Sequence, residues 1–200
     1  MRESHQAAGI YFLRNERRLF ILARLGGRAA EVLKEMAIIG IVAVDRAGAI
    51  GKGGALPWHY PADLKFFKEQ TTGHACVMGS RTWATLKKPL PNRLNVVLSG
   101  RSEVPQQMSV VWLRDRLSVL SLKDYLKCDL YVIGGAKVFQ LFAADIERWI
   151  VTSIPLQVEG ADTFMSPDFL RGFDPTDTRT LEGDLRVTFY EKVRSRNAER

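Results

Sequence analysis

The run Ala37-Ile-Ile-Gly-Ile-Val-Ala-Val44 contains no polar side chain and is rich in β-branched residues. A strand with one wet face would alternate; this one does not, so it predicts a central strand covered on both sides. Asp45-Arg-Ala-Gly48 closes the run and begins a loop. Similar short apolar runs recur at residues 75–79, 94–99, 109–113, 129–133 and 148–154, with helical patterns at 61–72, 81–86, 121–126 and 136–142. Strands alternating with helices predict an α/β fold, a doubly wound and mostly parallel sheet with helices on both faces. Residues 178–194 alternate in part and read as an antiparallel C-terminal edge hairpin. Ligands of such sheets bind beyond the carboxyl ends of the strands. Asp63, Gly134-Gly135 and Thr152 all fall near such ends.

Composition excludes several classes. The chain has 200 residues, 46% hydrophobic and 26% charged, which suits one globular domain with a sizeable core. A net charge of +7 fits an anionic small ligand as well as a nucleic acid. No basic strand with interleaved aromatics marks a nucleic-acid surface, and no apolar run is long enough to span a bilayer. Neither nucleic acid nor membrane is expected as a partner. Cys76 and Cys128, predicted in buried strands, have no CxxC spacing and no histidine cluster around them. They read as core hydrophobes in a reducing, cytoplasmic setting, with no disulfide and no metal site.

Chemistry concentrates in Ile50-Gly-Lys-Gly-Gly-Ala-Leu-Pro-Trp-His-Tyr-Pro-Ala-Asp-Leu-Lys-Phe-Phe67. Gly51, Gly53 and Gly54 suit a loop that takes positive φ. Pro57 and Pro61 bracket Trp58, and Pro61 suits a first helical position. Asp63 then lies in the first helical turn, on a face with Leu64, Phe66 and Phe67. Spacing alone allows two readings: a carboxylate that complements the helix start, or a carboxylate in an apolar pocket that does chemistry.

The pattern Leu56-Pro57-Trp58-x-x-Pro61-x-Asp63-Leu64-x-x-Phe67 resembles the substrate-binding segment of the dihydrofolate reductase family. The resemblance continues in order through Met78-Gly-Ser-Arg-Thr-Trp83, Pro89-Leu-Pro-Asn-Arg93, Val132-Ile-Gly-Gly-Ala136, Val151-Thr-Ser-Ile154 and Glu159-Gly160. It covers about residues 37–192 and implies an eight-stranded sheet. It also implies NADPH-dependent reduction of 7,8-dihydrofolate to tetrahydrofolate for one-carbon metabolism, by a monomer. In the implied site, Asp63 anchors the pterin, Thr152 hydrogen-bonds Asp63, Trp58 holds the water that protonates N5, and Leu56 lies at the hinge side of a lid. Ile41 and Ile133 offer backbone carbonyls to the pterin, with Val42 beside them. Phe67 stacks on the ring, Leu64, Leu86 and Leu90 line the aminobenzoyl slot, and Arg93 clamps the glutamate α-carboxylate.

The resemblance assigns the cofactor to Ala43, Ile50 and Gly51, to Ser80, Arg81 and Thr82, to Leu98-Ser99-Gly100-Arg101, and to Ile133 through Phe139. Within the last segment, Gly134-Gly135 carries a cis peptide, followed by Ala136, Lys137 and Val138 at a helix start. The chain departs from the family's pattern in three places. Ser80 stands where a basic residue is frequent, Phe139 where tyrosine is, and Gly160-Ala161-Asp162 is one residue longer than the common Gly-Asp. Arg81, Ser99, Arg101 and Lys137 still supply groups for the 2′-phosphate of NADPH.

Residues 1–35 stand apart as a basic extension before a domain at 36–200. They carry seven basic and four acidic side chains, with short apolar stretches at 10–13 and 19–22 that suit one side of a helix. An appendage or an upstream-extended reading frame is the expectation; an organelle targeting peptide and a surface-binding helix are alternatives. Two other functions compete with the leading one: a same-fold NADPH reductase of another pteridine or a ribosylated pyrimidine, and a non-catalytic folate- or nucleotide-binding module.

Overall fold

In the main sheet each buried strand feeds apolar side chains to both sides alternately, and this builds two cores on one sheet. The structure, a computed structural model, describes residues 36–101 and 108–193. The helix expected within the N-terminal extension lies outside these residues. The strands are β1 (Ile38–Val44), β2 (Ala49–Gly51), β3 (Ala75–Gly79), β4 (Leu94–Leu98), β5 (Val110–Leu113), β6 (Leu130–Gly134), β7 (Arg148–Ser153), β8 (Thr163–Phe164), β9 (Phe173–Leu181) and β10 (Leu185–Lys192). The α-helices are α1 (Pro61–Thr71), α2 (Ser80–Thr85), α3 (Arg116–Leu120) and α4 (Ala136–Phe142).

Eight strands form the main sheet in the order β5-β4-β3-β6-β1-β7-β10-β9, and β2 pairs with β8 in a separate ribbon. From β5 to β7 every pairing is parallel; β10 runs antiparallel to β7, and β9 to β10. The expected doubly wound sheet with an antiparallel C-terminal edge is therefore the observed one. One core takes Ile38 and Val42 of β1, Ala75 and Val77 of β3, Leu130 and Val132 of β6, and Val138, Phe139 and Phe142 of α4. The other takes Ile39 and Ile41, Cys76 and Met78, Tyr131, and Phe66 of α1. The period of two explains the split: successive residues of a strand point to opposite faces.

Several local expectations shift. A helix was expected at 121–126; instead α3 occupies Arg116–Leu120 and runs into a 3-10 turn at Ser121–Asp124. The start signal is Asp115, whose carboxylate accepts the N–H of Ser118 at 2.8 Å, and a helix this short shows too little periodicity to read. The edge hairpin begins earlier than 178. β9 starts at Phe173 and includes Pro175, which an edge strand tolerates because its outward N–H groups have no partner to lose. Cys76 is buried in β3, but Cys128 is half-buried just before β6 rather than within a strand, and both thiols are free. Burial pushes the Cys76 thiol up to about 12, so it is an inert core group. Among the described residues no cluster of side chains could hold a metal.

Gly40 has a specific reason to lack a side chain. A Cβ there would lie 2.3 Å from Cε3 and 2.4 Å from Cζ3 of Trp149, its partner on β7. That indole is almost fully buried and packs on Phe139 and Phe169, with ring centroids 5.5 and 5.1 Å away. It has no room to retreat. Gly40→Ala is expected to lower the unfolding free energy by about 1–3 kcal/mol, read as a lower urea midpoint. An unchanged midpoint would mean that β1 and β7 part freely here.

Candidate active site

Because β1, β3, β4, β6 and β7 are parallel, their carboxyl ends share one edge of the sheet, and the candidate residues collect there. α1 starts where Tyr60, extended at φ −118° and ψ 105°, hands over to Pro61 in the first turn. The first helical bond runs from Leu64 N–H to the Tyr60 carbonyl at 3.2 Å. Asp63 is thereby held in the first turn, half-buried, with the Thr152 hydroxyl donating to its carboxylate. Thr152 is itself buried near the end of β7. Burial pushes the Asp63 carboxyl above its ordinary value, and the bond from Thr152 only partly offsets this. A carboxylate that served only to complement a helix end would sit in water with an ordinary or lowered pKa. Asp63 does not.

The expected substrate and cofactor residues sort onto opposite faces of the sheet. Ile41, Phe67, Leu86, Leu90 and Ile133 belong to the core that also holds Phe66. Ile50, Leu98, Val138 and Phe139 belong to the other. Val42 does not join the expected substrate group; its side chain packs in the core with Leu98 and Val138, because it alternates with Ile41 along β1. Leu56 and Leu64 are half-exposed large apolar side chains, 55% and 45% accessible, as a ligand-lining surface requires. The Trp58 indole N–H is buried and has no partner among the described residues. An unmet buried donor is costly, and a polar group in the crevice would satisfy it.

Arg93, expected to clamp a substrate carboxylate, is 7% exposed. Its Nε donates to the Pro91 carbonyl at 3.0 Å and its Nη1 to Thr71 Oγ1 at 3.0 Å, while the guanidinium stands 5.9 Å from the Phe67 ring centroid. No ion pair among the described residues includes it. A buried guanidinium held by neutral acceptors keeps donors free for an anion.

On the other face, the Gly134–Gly135 peptide is cis, as expected. The backbone around it forms a cradle that side chains would fill. A Cβ on Gly134 would lie 3.1 Å from Phe139 Cε2, one on Gly79 3.1 Å from Val138 Cγ2, and one on Gly135 3.6 Å from Thr82 Oγ1. The main chain of Gly79 and Gly134 thus packs closely on α4, beside the starts of α2 and α4, and Ala43 pairs with Thr152 across β1 and β7. Such a cradle fits a dinucleotide, whose diphosphate accepts backbone N–H bonds. Ser99 is buried and its hydroxyl accepts the Arg101 N–H at 3.2 Å, shaping the turn through Gly100. Arg81, Arg101 and Lys137 are exposed, and Ser80 is half-buried at the start of α2.

The Gly-rich loop ends in a tight turn. Lys52 and Ala55 exchange backbone bonds of 3.0 and 3.1 Å around Gly53 and Gly54, at φ 60° and 80°, the pair of left-handed positions that a two-residue hairpin demands. The tip docks on residues 159–162: Gly53 N–H donates to Asp162 Oδ2 at 2.7 Å and Lys52 Nζ to the Glu159 carbonyl at 2.7 Å. The expectations did not include Lys52, and Asp162 entered them only as a departure in spacing. Contacts between segments over a hundred residues apart leave no local signal in a sequence.

A crevice at the carboxyl edge of a doubly wound sheet, with a buried carboxylate on one face and a glycine cradle on the other, defines an α/β enzyme of small molecules. Comparison with known proteins makes the assignment particular. The family model described as dihydrofolate reductase matches residues 37–190. A dihydrofolate reductase of Bacillus subtilis is 37% identical over 134 residues, which span 64% of this chain and 74% of that one. One from Haloferax volcanii is 30% identical over 182 residues, 84% of this chain and 90% of its own. Among solved structures, a dihydrofolate reductase from Enterococcus faecalis complexed with NADP(H) and RAB-propyl has a TM-score of 0.72 at 28% identity, covering 79% of this chain and 97% of that one. The chain belongs to the dihydrofolate reductase family and is an oxidoreductase. No helix among the described residues is long and apolar enough to cross a membrane.

The raised pKa of Asp63 has a thermodynamic consequence. A carboxyl whose folded pKa lies above its unfolded value favours the folded state while protonated, and that advantage is lost as pH rises through the folded pKa. At neutral pH the ionised carboxylate is therefore a burden on the fold. Asp63→Asn is expected to melt higher than the parent at pH 7, with the gap closing as pH falls below the ordinary carboxylate value of 3.8. A gap that widens in acid would mean that the folded environment lowers the Asp63 pKa instead of raising it.

Proposed function

We propose that this protein reduces 7,8-dihydrofolate to 5,6,7,8-tetrahydrofolate with NADPH and so supplies one-carbon metabolism. The observation that carries the reading is Asp63, a half-buried carboxyl with a raised pKa, bonded to Thr152, in a crevice whose other side is a backbone cradle. A pterin presents an N3–H and a 2-amino group side by side. A carboxylate meets that edge with two charge-assisted hydrogen bonds, which orients the ring and polarises it toward protonation at N5. Trp58 has a buried, unmet indole N–H and holds the water that delivers this proton. NADPH, when bound, supplies the hydride for C6. Backbone carbonyls of Ile41 and Ile133 take the remaining amino donors, Phe67 stacks on the ring, and Leu64, Leu86 and Leu90 enclose the aminobenzoyl group.

Residues 51–56 act as the lid that excludes water from the reacting atoms, with Leu56 at its hinge side. Ala43, Ile50 and Gly51 meet the nicotinamide. Thr82, Ala136 and the Gly134–Gly135 main chain hold the diphosphate, and Ser80, Arg81, Ser99, Arg101 and Lys137 surround the 2′-phosphate. Residues 36–200 form the working domain of a monomer. The free thiols of Cys76 and Cys128 suit a reducing cytoplasm.

The decisive measurement is the loss of reduced-nicotinamide absorbance when dihydrofolate and NADPH meet the full chain, run beside a chain that begins at Met36. Turnover is expected in both, and its absence from a folded protein would overturn the reading. Asp63→Asn keeps the shape and removes the charge, so kcat is expected to fall at least about 100-fold; near-parental turnover would remove Asp63 from its role. Arg93→Leu is expected to raise the dihydrofolate KM about 10- to 100-fold, as loss of a charge-assisted pair predicts, with NADPH affinity unchanged. Equal loss of both affinities would mean that Arg93 supports the fold rather than the substrate.

A further inference from the structure

Asp45 follows β1 directly and is 5% exposed, yet no ion pair among the described residues includes it. A buried lone carboxylate survives only if hydrogen bonds replace its lost hydration. Here they do. Oδ1 accepts the N–H of Ala47 at 2.8 Å and of Ala49 at 2.7 Å, and Oδ2 accepts that of Val158 at 2.8 Å. Burial pushes the pKa up, but the backbone donors of Val158, Ala49, Ala47 and Gly48 outweigh it and hold the carboxyl below its ordinary value. The group stays charged.

The three bonds join two segments far apart in the chain. Ala49 opens β2, which leads through Ile50 and Gly51 to the tip at Lys52–Ala55. Val158 opens the segment on which that tip docks, through Glu159 and Asp162. A parallel bond runs from Arg46 N–H to the Leu156 carbonyl at 3.0 Å, and Asp162 N–H donates to the Gly51 carbonyl at 3.2 Å. The tip bonds of Lys52 and Gly53 are exposed, so water competes for them and each contributes little by itself. Whether they form depends on how well the two segments are aligned beforehand, and the buried carboxylate contributes to that alignment beside the β2–β8 pairing.

We propose that Asp45 is a positioning residue of the reductase: it holds the loop of residues 51–56 over the nicotinamide site by fixing both the root of the loop and the segment that receives its tip. It acts through Gly51–Leu56 and touches neither ligand. The proposal rests on the reductase reading for the identity of what the loop covers.

Asparagine separates the two halves of this task. Its carbonyl oxygen can still accept Ala47 and Ala49, but its NH2 then faces the Val158 N–H, donor against donor. In the full chain, Asp45→Asn is expected to release NADPH about tenfold faster or more in a stopped-flow fluorescence chase, the size that follows from losing a charge-assisted bond. The NADPH KM should rise with it, while the dihydrofolate KM stays within about twofold. Asp115→Ala removes the same kind of carboxylate-to-backbone bond, at the start of α3, and is expected to lower the melting temperature without changing NADPH release. A folded Asp45→Asn protein with parental NADPH release would overturn the proposal.

If that variant does not fold, native-state hydrogen exchange on the unaltered chain decides. The amides of Ala49 and Val158 should open together with one common free energy. Independent opening of Val158 and Ala49 would overturn the proposal. The exchange measurement needs neither ligand nor turnover, so its failure is distinct from a failure to reduce dihydrofolate.

Discussion

Burial of one parallel sheet on both of its faces is the constraint from which the rest of this structure follows. A parallel strand needs a crossover to reach its neighbour, and the crossovers that cover the sheet also return every strand in the same direction. The carboxyl ends of β1, β3, β4, β6 and β7 are thereby brought to one edge. The apolar runs that make these strands cannot be solvated, so the helices must lie on both sides. Gly40 shows how tight the result is, since the Trp149 ring occupies the space that any side chain there would need.

A sheet with two faces gives its open edge two chemistries. On one side the alternate residues lead to a carboxylate raised by burial and a buried guanidinium held by Thr71 and Pro91. On the other they lead to main chain kept bare by glycines. Each suits a different ligand, a flat ring with a donor edge and a charged tail on the first, a dinucleotide on the second. The sheet edge is where two such ligands can meet. The Gly-rich loop crosses this edge, and its tip is tied to residues 159–162 by bonds that water can replace. A loop that must open for ligands cannot be held by strong contacts at its tip; the stronger contacts lie at its root, around Asp45.

Much of this was legible in the residues alone. The unbroken apolar run at 37–44, the alternation of strands and helices, and Pro61 ahead of Asp63 all act over a few neighbouring residues, and local rules read them. α4 was expected at 136–142 and is found at Ala136–Phe142. What escaped has a common cause. α3 is too short for its period to show, the β2–β8 ribbon pairs segments with three and two residues, and the state of Arg93 depends on Thr71 and Phe67 from another element.

The sequence by itself determined the class of fold and the family, because both are written in short ordered patterns: apolar runs of strand length, and motifs whose spacing is preserved along the chain. It also placed Asp63 at a helix start. Only the tertiary structure decided that this carboxylate is half-buried against Thr152 rather than hydrated. The carboxylate of Asp45 reaches Val158 for the same kind of reason. Burial, pKa and long-range hydrogen bonds depend on which atoms surround a group in space, and residues 113 positions apart acquire that relation only when the sheet has closed around them.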